Sequence, residues 1–279
     1  MSTPPRAHAD LWPVGPREGT APPPQPLPPE GASANPGAPR ELHGVADLPS
    51  DVRPVAAKQT AIYVYDTPVR AWHWVNALCI LVLVVTGYLI ASPPTAAPGE
   101  AFERSLMGHI RFVHFAAGQI LAVALVLRFV WAFIGNRYAH QLFCPPIWHR
   151  HWWWEVWFEA KWYGFLVRDP KKYIGHNPFA ALMMFVLFIL PCLFMVLSGM
   201  ALYAQAAGTD SWQHTAFGWM LTLFGNPMRL QTLHHLGMWV LVLFSILHIY
   251  AAIHEELLSR QSMLSTIVSG WRMFRDDAP

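Results

Sequence analysis

Residues 233–254 read LHHLGMWVLVLFSILHIYAAIH, inside a longer stretch from Leu230 to His254 that holds no Asp, Glu, Lys or Arg. About 20 predominantly apolar residues suffice for a helix to cross the hydrocarbon core of a bilayer, so this segment reads as a membrane span. Its histidines are the unusual feature, because a polar side chain at membrane depth is costly and by default functional. At 100° per residue, His234 and His248 are separated by about 1400° and end only about 40° apart around the axis, some 21 Å from each other along it. His235 and His248 are about 140° apart and face different directions. One face of one helix therefore offers two imidazoles near opposite membrane boundaries.

Three further spans lie upstream, at about residues 72–91, 108–134 and 178–203. The first sits in an uncharged stretch from Ala71 to Gly99 and the third in another from Tyr173 to Thr209. The second is less clean, carrying His109, Arg111, His114 and Arg128. Pro93-Pro94 and Gly135-Asn136 are stops for the first two, and Pro191, in the middle of the third, is expected to bend it. The fold class is thus all-α, an integral membrane four-helix bundle.

Composition agrees. Only 13% of the 279 residues are charged, about half of what a soluble domain carries, and 14 Trp and 16 Phe take their place. A net charge of +2 with no recognition motif excludes nucleic acid as a partner. Cys79, Cys144 and Cys192 stand far apart, so there is no zinc pair, no cluster-binding run and no site for covalent haem attachment. Residues 1–58 form a proline-rich tail, with 14 of the 25 prolines in the first 54 positions. Its scarce apolar surface cannot offset the entropy of ordering, and it is expected to be disordered. No apolar core follows a basic start there, so it does not read as a secretory signal.

Lys and Arg orient the bundle. The segment 135–177 carries Arg137, Arg150, Lys161, Arg168, Lys171 and Lys172; the C-terminal tail adds Arg260, Arg272 and Arg275; the entry to the first span has Arg53, Lys58 and Arg70. The opposite loops hold only Arg104 and Arg229. Both termini are therefore expected in the cytoplasm. Ile147 to Leu166, crowded with Trp148, Trp152, Trp153, Trp154, Trp157 and Trp162 among mixed charges, reads as an interfacial helix anchoring the chain in headgroups. A shorter counterpart is expected at Ser211 to Phe224.

That topology matches the histidines by depth. His73 opens the first span on the side where His248 closes the fourth, and His114 opens the second on the side where His234 opens the fourth. Two stacked haems, each ligated by His73/His248 or His114/His234, fit this arrangement. His109 is the weaker outer candidate, nearer the aqueous loop. For His109, His235 and His254 a place among the headgroups is the simpler reading. Two imidazoles fill both axial positions of iron, which favours electron transfer over oxygen binding. A proton relay or a metal path in a haem-free transporter uses the same spacing and stays open on these residues alone.

The stretches VYDTPVRAWHW (64–74), MGHIRFVHFAAG (107–118), KKYIGHNP (171–178), SGMALYAQAAG (198–208), HHLGMW (234–239) and HIYAAIHEELLSRQS (248–262) resemble, in order, the b-type cytochrome subunit of membrane-bound nickel–iron hydrogenases. The likeness runs from about residue 60 to the end. It implies an inner-membrane subunit holding two haems b, which passes electrons from the small (iron–sulfur) and large (nickel–iron) subunits of a periplasm-facing hydrogenase to quinone. The family's haem ligands map onto His73, His114, His234 and His248. Related cytochromes serve formate dehydrogenase and thiosulfate reductase on the same four-helix plan, an alternative that changes the partner.

In the formate-dehydrogenase relatives a short loop before the third span lines the quinone pocket, and here that loop holds Tyr173, Gly175, His176 and Asn177. His176 and Asn177 are then candidates to hydrogen-bond a quinone carbonyl. Asn177 before Pro178 equally reads as a helix N-cap and first helical residue. Arg70 and Arg111 each stand three residues before a proposed ligand, neighbours on a helix face. They are candidates for pairing with haem propionates or for snorkelling to the interface. Arg128 is expected to snorkel.

Overall fold

The computed structural model describes residues 59–275 except 95–104, 137, 169–170 and 260. The proline-rich tail, and Arg53, Lys58, Arg104, Arg137 and Arg260 of the charge pattern, lie outside the described residues. Four helices are long and apolar enough to cross a membrane: Thr67–Ala91, Leu106–Ile134, Pro178–Ala207 and Pro227–Leu258. The all-α membrane bundle is what the apolar runs implied, with each helix running a few residues beyond the expected span at one end or both.

In chain order the elements are β1 (Gln59–Tyr63), α1 (Thr67–Ala91), α2 (Leu106–Ile134), α3 (Arg150–Tyr163), α4 (Pro178–Met184), a π turn (Phe185–Ile189), α5 (Leu190–Ala207), α6 (Trp212–Phe217), α7 (Trp219–Leu223), α8 (Pro227–Leu258), α9 (Leu264–Ser269) and β2 (Trp271–Arg275). The π turn falls within the third span, ahead of Pro191, which has no N–H to give the carbonyl four residues back. The helix accommodates that lost bond with a wider local turn, a common adjustment in membrane helices. In the bundle α1 packs on α2 and α5 on α8, and the pairs meet through α1 with α8 and α2 with α5.

Buried side chains at the centre are apolar: Cys79 from α1, Leu121 and Leu125 from α2, and Cys192 from α5. The outward faces are apolar and open, as with Leu78, Val126, Phe133 and Leu243. In water such a surface would drive aggregation; in hydrocarbon it is at home.

Two features were not visible in the sequence. β1 and β2 pair antiparallel, from Gln59 opposite Arg275 to Tyr63 opposite Trp271, so the two ends of the membrane domain are stitched together beneath the bundle. Five-residue strands without strong alternation escape notice beside four spans. The second is Arg128. It does not snorkel: it is 4% exposed, its Nη2 donates to the Ala139 carbonyl at 2.6 Å, and its guanidinium lies over the rings of Trp72 and Phe143. The loop after α2 folds back under the bundle and presents a carbonyl that this charge satisfies, so the side chain reaches inward.

The tryptophan-rich helix, α3, has two faces. Trp153, Trp154 and Trp157 are exposed, as is Trp148 just before the helix, matching an aromatic belt at a membrane surface. Trp152, Glu155, Val156, Glu159 and Trp162 are buried against the rest of the protein. In the loop read as its counterpart, α6 and α7 are two short helices with Trp212 and Trp219 exposed.

Candidate haem-binding site

α1 carries His73 near its start and α8 carries His248 near its end; their ring centres are 6.2 Å apart. α2 carries His114 and α8 carries His234 near their starts, with ring centres 6.5 Å apart. The four histidines chosen by depth and periodicity thus meet as two pairs, at two levels of the bundle. The other histidines lie elsewhere. His109 is exposed, its ring near the hydroxyl and carbonyl of Ser105. His235 accepts a hydrogen bond from Trp239 Nε1 at 3.3 Å. His254 is not among headgroups, as the sequence suggested: it is 6% exposed and packs against Trp162 at 4.6 Å between ring centres. The helix α3 covers it.

Pair spacing tests whether a haem fits. A ring nitrogen stands about 2 Å from a bound metal, and the ring centre lies about 1 Å further, so two imidazoles on opposite sides of one metal have centres roughly 6 Å apart. Both pairs have that separation. Among the described residues no three or more His, Cys, Asp or Glu side chains gather as a metal-holding group. Two protein ligands are too few for a bare ion, which wants four or more donors, but they suffice for iron whose equatorial positions a porphyrin already fills. Buried polar atoms support a group with polar edges here. His73 Nδ1 and both amide atoms of Asn76, one turn further along α1, have no hydrogen-bond partner, a state that interiors rarely tolerate. The donor set and its geometry fit haem.

The His114 and His234 rings have companions that sequence reasoning missed. His114 Nδ1 lies 2.8 Å from the Thr86 hydroxyl, and His234 Nδ1 lies 2.7 Å from the Ser198 hydroxyl. The glycine after each hydroxyl residue meets the same ring: a Cβ at Gly87 would stand 3.2 Å from His114 Cε1, and one at Gly199 would stand 3.2 Å from His234 Cε1. The repeated hydroxyl–glycine dipeptide in the first and third spans was the available signal.

At the His73 end a loop closes the bundle. Arg272, counted in the sequence only as a topogenic charge, is 2% exposed and donates through Nη1 to the carbonyls of Tyr173 (2.9 Å) and Gly175. Gly175 has φ +88°, and a Cβ there would come within 2.5 Å of Gln141 Oε1, so only glycine fits. Asn177 is the N-cap of α4: its Oδ1 accepts from Ala180 N at 2.7 Å, and its Nδ2 donates to Tyr163 Oη at 2.9 Å. Tyr163 in turn donates to Glu255 Oε2 at 2.8 Å. Tyr173 is buried beside Glu159. His176 is half-buried and lies 3.3 Å (Nε2) from the Tyr65 hydroxyl. Burial, and then the surrounding charge of Arg272, His248, Arg128 and His73, pushes its pKa down to about 3. The imidazole is therefore neutral at any physiological pH.

The proposed propionate partners differ. Arg70 spends its guanidinium on the Val268 carbonyl (2.5 Å) and the Thr67 hydroxyl (2.9 Å), whereas Arg111 is exposed beside the His114 end.

The chain is similar to known cytochrome proteins. The chain matches the family model described as prokaryotic cytochrome b561 over residues 64–270, which spans every element that carries a ring of the two pairs. A protein of Azotobacter vinelandii named "Probable Ni/Fe-hydrogenase B-type cytochrome subunit" is 54% identical over 222 residues, covering 80% of this chain and 92% of that protein. One of the same name from Rhizobium leguminosarum bv. viciae is 52% identical over 221 residues, 79% of this chain and 92% of its own length. "Probable Ni/Fe-hydrogenase 1 B-type cytochrome subunit" of Escherichia coli strain K12 is 42% identical over 214 residues, 75% and 90% of the two chains. With imidazoles paired at haem spacing inside an apolar bundle, and likeness running along the whole membrane domain, the chain belongs to the prokaryotic cytochrome b561 family, membrane proteins of b-type haem and electron transport.

Proposed function

We propose that this chain is the electron-exit subunit of a nickel–iron uptake hydrogenase, holding two haems b and passing electrons from the hydrogenase to quinone. The observation that carries the reading is the pair of imidazole pairs, 6.2 and 6.5 Å between centres, at opposite levels of one bundle. His73 and His248 hold the inner haem, and His114 and His234 the outer. Bound haem supplies a one-electron carrier, its potential set by axial ligands and their hydrogen bonds. The residues would hold it in a dry, apolar interior through the paired imidazoles. Nothing in the chain supplies a thiolate set for hydrogen splitting, which belongs to the partner's large subunit; the small subunit delivers electrons to the His114 end. The names of the relatives above support that partner.

The distribution of Lys and Arg supports a His73 end at the cytoplasmic face of the inner membrane, with both termini on that side. Quinone reduction takes place at this end, at the loop of Tyr173, Gly175, His176 and Asn177. Within it the neutral imidazole of His176, backed by the Tyr65 hydroxyl, is the group disposed to hydrogen-bond a quinone carbonyl. Asn177 is committed to its cap and to Tyr163. Of the two arginines, Arg111 is the better placed for a haem propionate, since Arg70 already binds Val268.

The test is the purified complex. A reduced-minus-oxidised spectrum with sharp low-spin bands and two haems b per chain is expected, together with hydrogen-dependent quinone reduction that builds a membrane potential in proteoliposomes. A colourless chain would remove the cytochrome reading. One haem per chain would remove the two-level arrangement. Turnover without a membrane potential would remove the cytoplasmic quinone site.

A further inference from the structure

Resting on the two-haem reading, we propose that Thr86 and Ser198 fix the tautomer of His114 and His234 and thereby lower the reduction potential of the outer haem relative to the inner one. A hydroxyl has one hydrogen to donate. That of Thr86 goes to the Val82 carbonyl at 2.6 Å, and that of Ser198 to the Phe194 carbonyl at 2.6 Å, each one helical turn back. With its hydrogen spent, each oxygen meets the adjacent imidazole as an acceptor, so the Nδ1 at 2.8 Å (His114) or 2.7 Å (His234) carries the proton. A neutral imidazole with its proton on Nδ1 keeps its lone pair on Nε2, the nitrogen left to face a metal.

The two seats are built alike on different helices. Thr86-Gly87 belongs to α1 and serves the ligand of α2; Ser198-Gly199 belongs to α5 and serves a ligand of α8. In both, the glycine lets the ring edge lie within contact of the backbone, where a Cβ would stand 3.2 Å from Cε1. Position and tautomer are thus set together. The inner pair has no such seat on His73, whose Nδ1 is buried without a hydrogen-bond partner.

A ring N–H held by an acceptor makes the opposite nitrogen more basic, and a more basic axial ligand stabilises ferric over ferrous iron. Both outer ligands gain this effect, and His73 does not. Electron flow from the outer haem toward the inner is therefore downhill.

An optical redox titration of the purified complex, with total haem measured per chain, tests the inference on Thr86→Val, Ser198→Ala, the double variant and the conservative Thr86→Ser. The double variant is expected to keep both haems. Its outer haem should show about a tenfold lower oxidised-to-reduced ratio at a fixed potential, an upward shift of about 59 mV for a one-electron couple, while the inner haem stays put and Thr86→Ser matches the parent. Full haem with an unmoved outer potential, or equal movement of both haems, would overturn the hydroxyl role and leave the two-haem reading standing. If Thr86→Val sheds the outer haem, retention in Thr86→Ser supports the hydrogen bond; loss in both shows that shape alone decides. A parent complex with a single haem would sink both proposals together.

Discussion

The two ends of the bundle are built from different chemistry around the same ligand pair. At the His114 end the imidazoles sit among small and apolar side chains, with the hydroxyls of Thr86 and Ser198, each donating to its own helix backbone, beside them. At the His73 end, buried charge gathers: Arg128, Arg272, Glu155, Glu159 and Glu255 are each 4% exposed or less. A site that only moves electrons needs insulation and fixed dipoles. A site where a quinone takes up protons needs groups that titrate or relay. The contrast separates the two levels more clearly than the ligands themselves, which are imidazoles throughout.

The largest effect expected is at the insulated end. On the proposed two-haem reading, His234→Ala or His114→Ala should remove the outer haem and abolish hydrogen-to-quinone electron flow, with one haem per chain remaining. Hydrogenase activity with an artificial acceptor should persist, because hydrogen splitting lies in the partner. Loss of the inner haem in place of the outer would break the pairing by level.

At the charged end the next effect is on the loop. Gly175→Ala forces a Cβ into a left-handed conformation, which costs about 1–2 kcal/mol, and against Gln141 Oε1 at 2.5 Å. Hydrogen-dependent quinone reduction should fall several-fold and the unfolding temperature by at least a few degrees, while the spectrum keeps both haems. Unchanged turnover would detach this loop from quinone chemistry.

How much of this was legible beforehand follows from length scales. A run of apolar residues declares a span, and imidazoles separated by fourteen positions declare a shared face, because both signals repeat along one helix and need no knowledge of the neighbours. Thr86 and Ser198 gave only a faint signal, a hydroxyl–glycine dipeptide occurring once in each of two spans. A hydroxyl in an apolar helix usually bonds its own backbone, and only the facing helix shows that its oxygen also lies within hydrogen-bond distance of a histidine Nδ1. Arg128 was misread for the same reason: whether a long cation snorkels or turns inward depends on a carbonyl donated by a loop, here that of Ala139. Arg272 reaches carbonyls 97 and 99 positions back, and the β1–β2 pairing joins the two ends of the membrane domain, both beyond any local pattern. Asn177-Pro178, by contrast, offered two roles, and the capping one is present in the structure.

A subtler difference between the ends should appear as a pH dependence. Burial first, then the neighbouring Glu255 carboxylate, raises the Glu159 pKa to about 8. In the unfolded chain the same group ionises near 4.5. Between those values the unfolded state gives up its proton while the folded state keeps it, so the stability present below about pH 4.5 is progressively lost as pH rises toward 8. Glu159→Gln, which keeps the shape and removes the titration, should flatten that decline. Its unfolding temperature should exceed the parent's by roughly 2–4 °C at pH 8, the shift about 1 kcal/mol produces in a chain of this size, and match it at pH 5. A parallel pH profile in parent and variant would show that the acid cluster does not hold a proton in the folded state.

The smallest effect sharpens which loop residue meets quinone. Asn177 uses its oxygen to cap α4 and its amide to hold Tyr163. Serine is also a good N-cap, so Asn177→Ser should keep the helix start and lose only the tie to Tyr163, whose hydroxyl still donates to Glu255. Alanine loses both, at about 1 kcal/mol for the cap. The unfolding temperature should therefore fall in Asn177→Ala and hold in Asn177→Ser, while quinone turnover per folded complex stays near the parent's in both. His176→Ala should do the reverse, sparing stability and raising the KM for quinone several-fold, because its ring is half-exposed and neutral beside the inner pair. If Asn177→Ser lost turnover while keeping its unfolding temperature, the amide would be the quinone contact and His176 its neighbour, and the division between a capping and a binding residue in this loop would have to be redrawn.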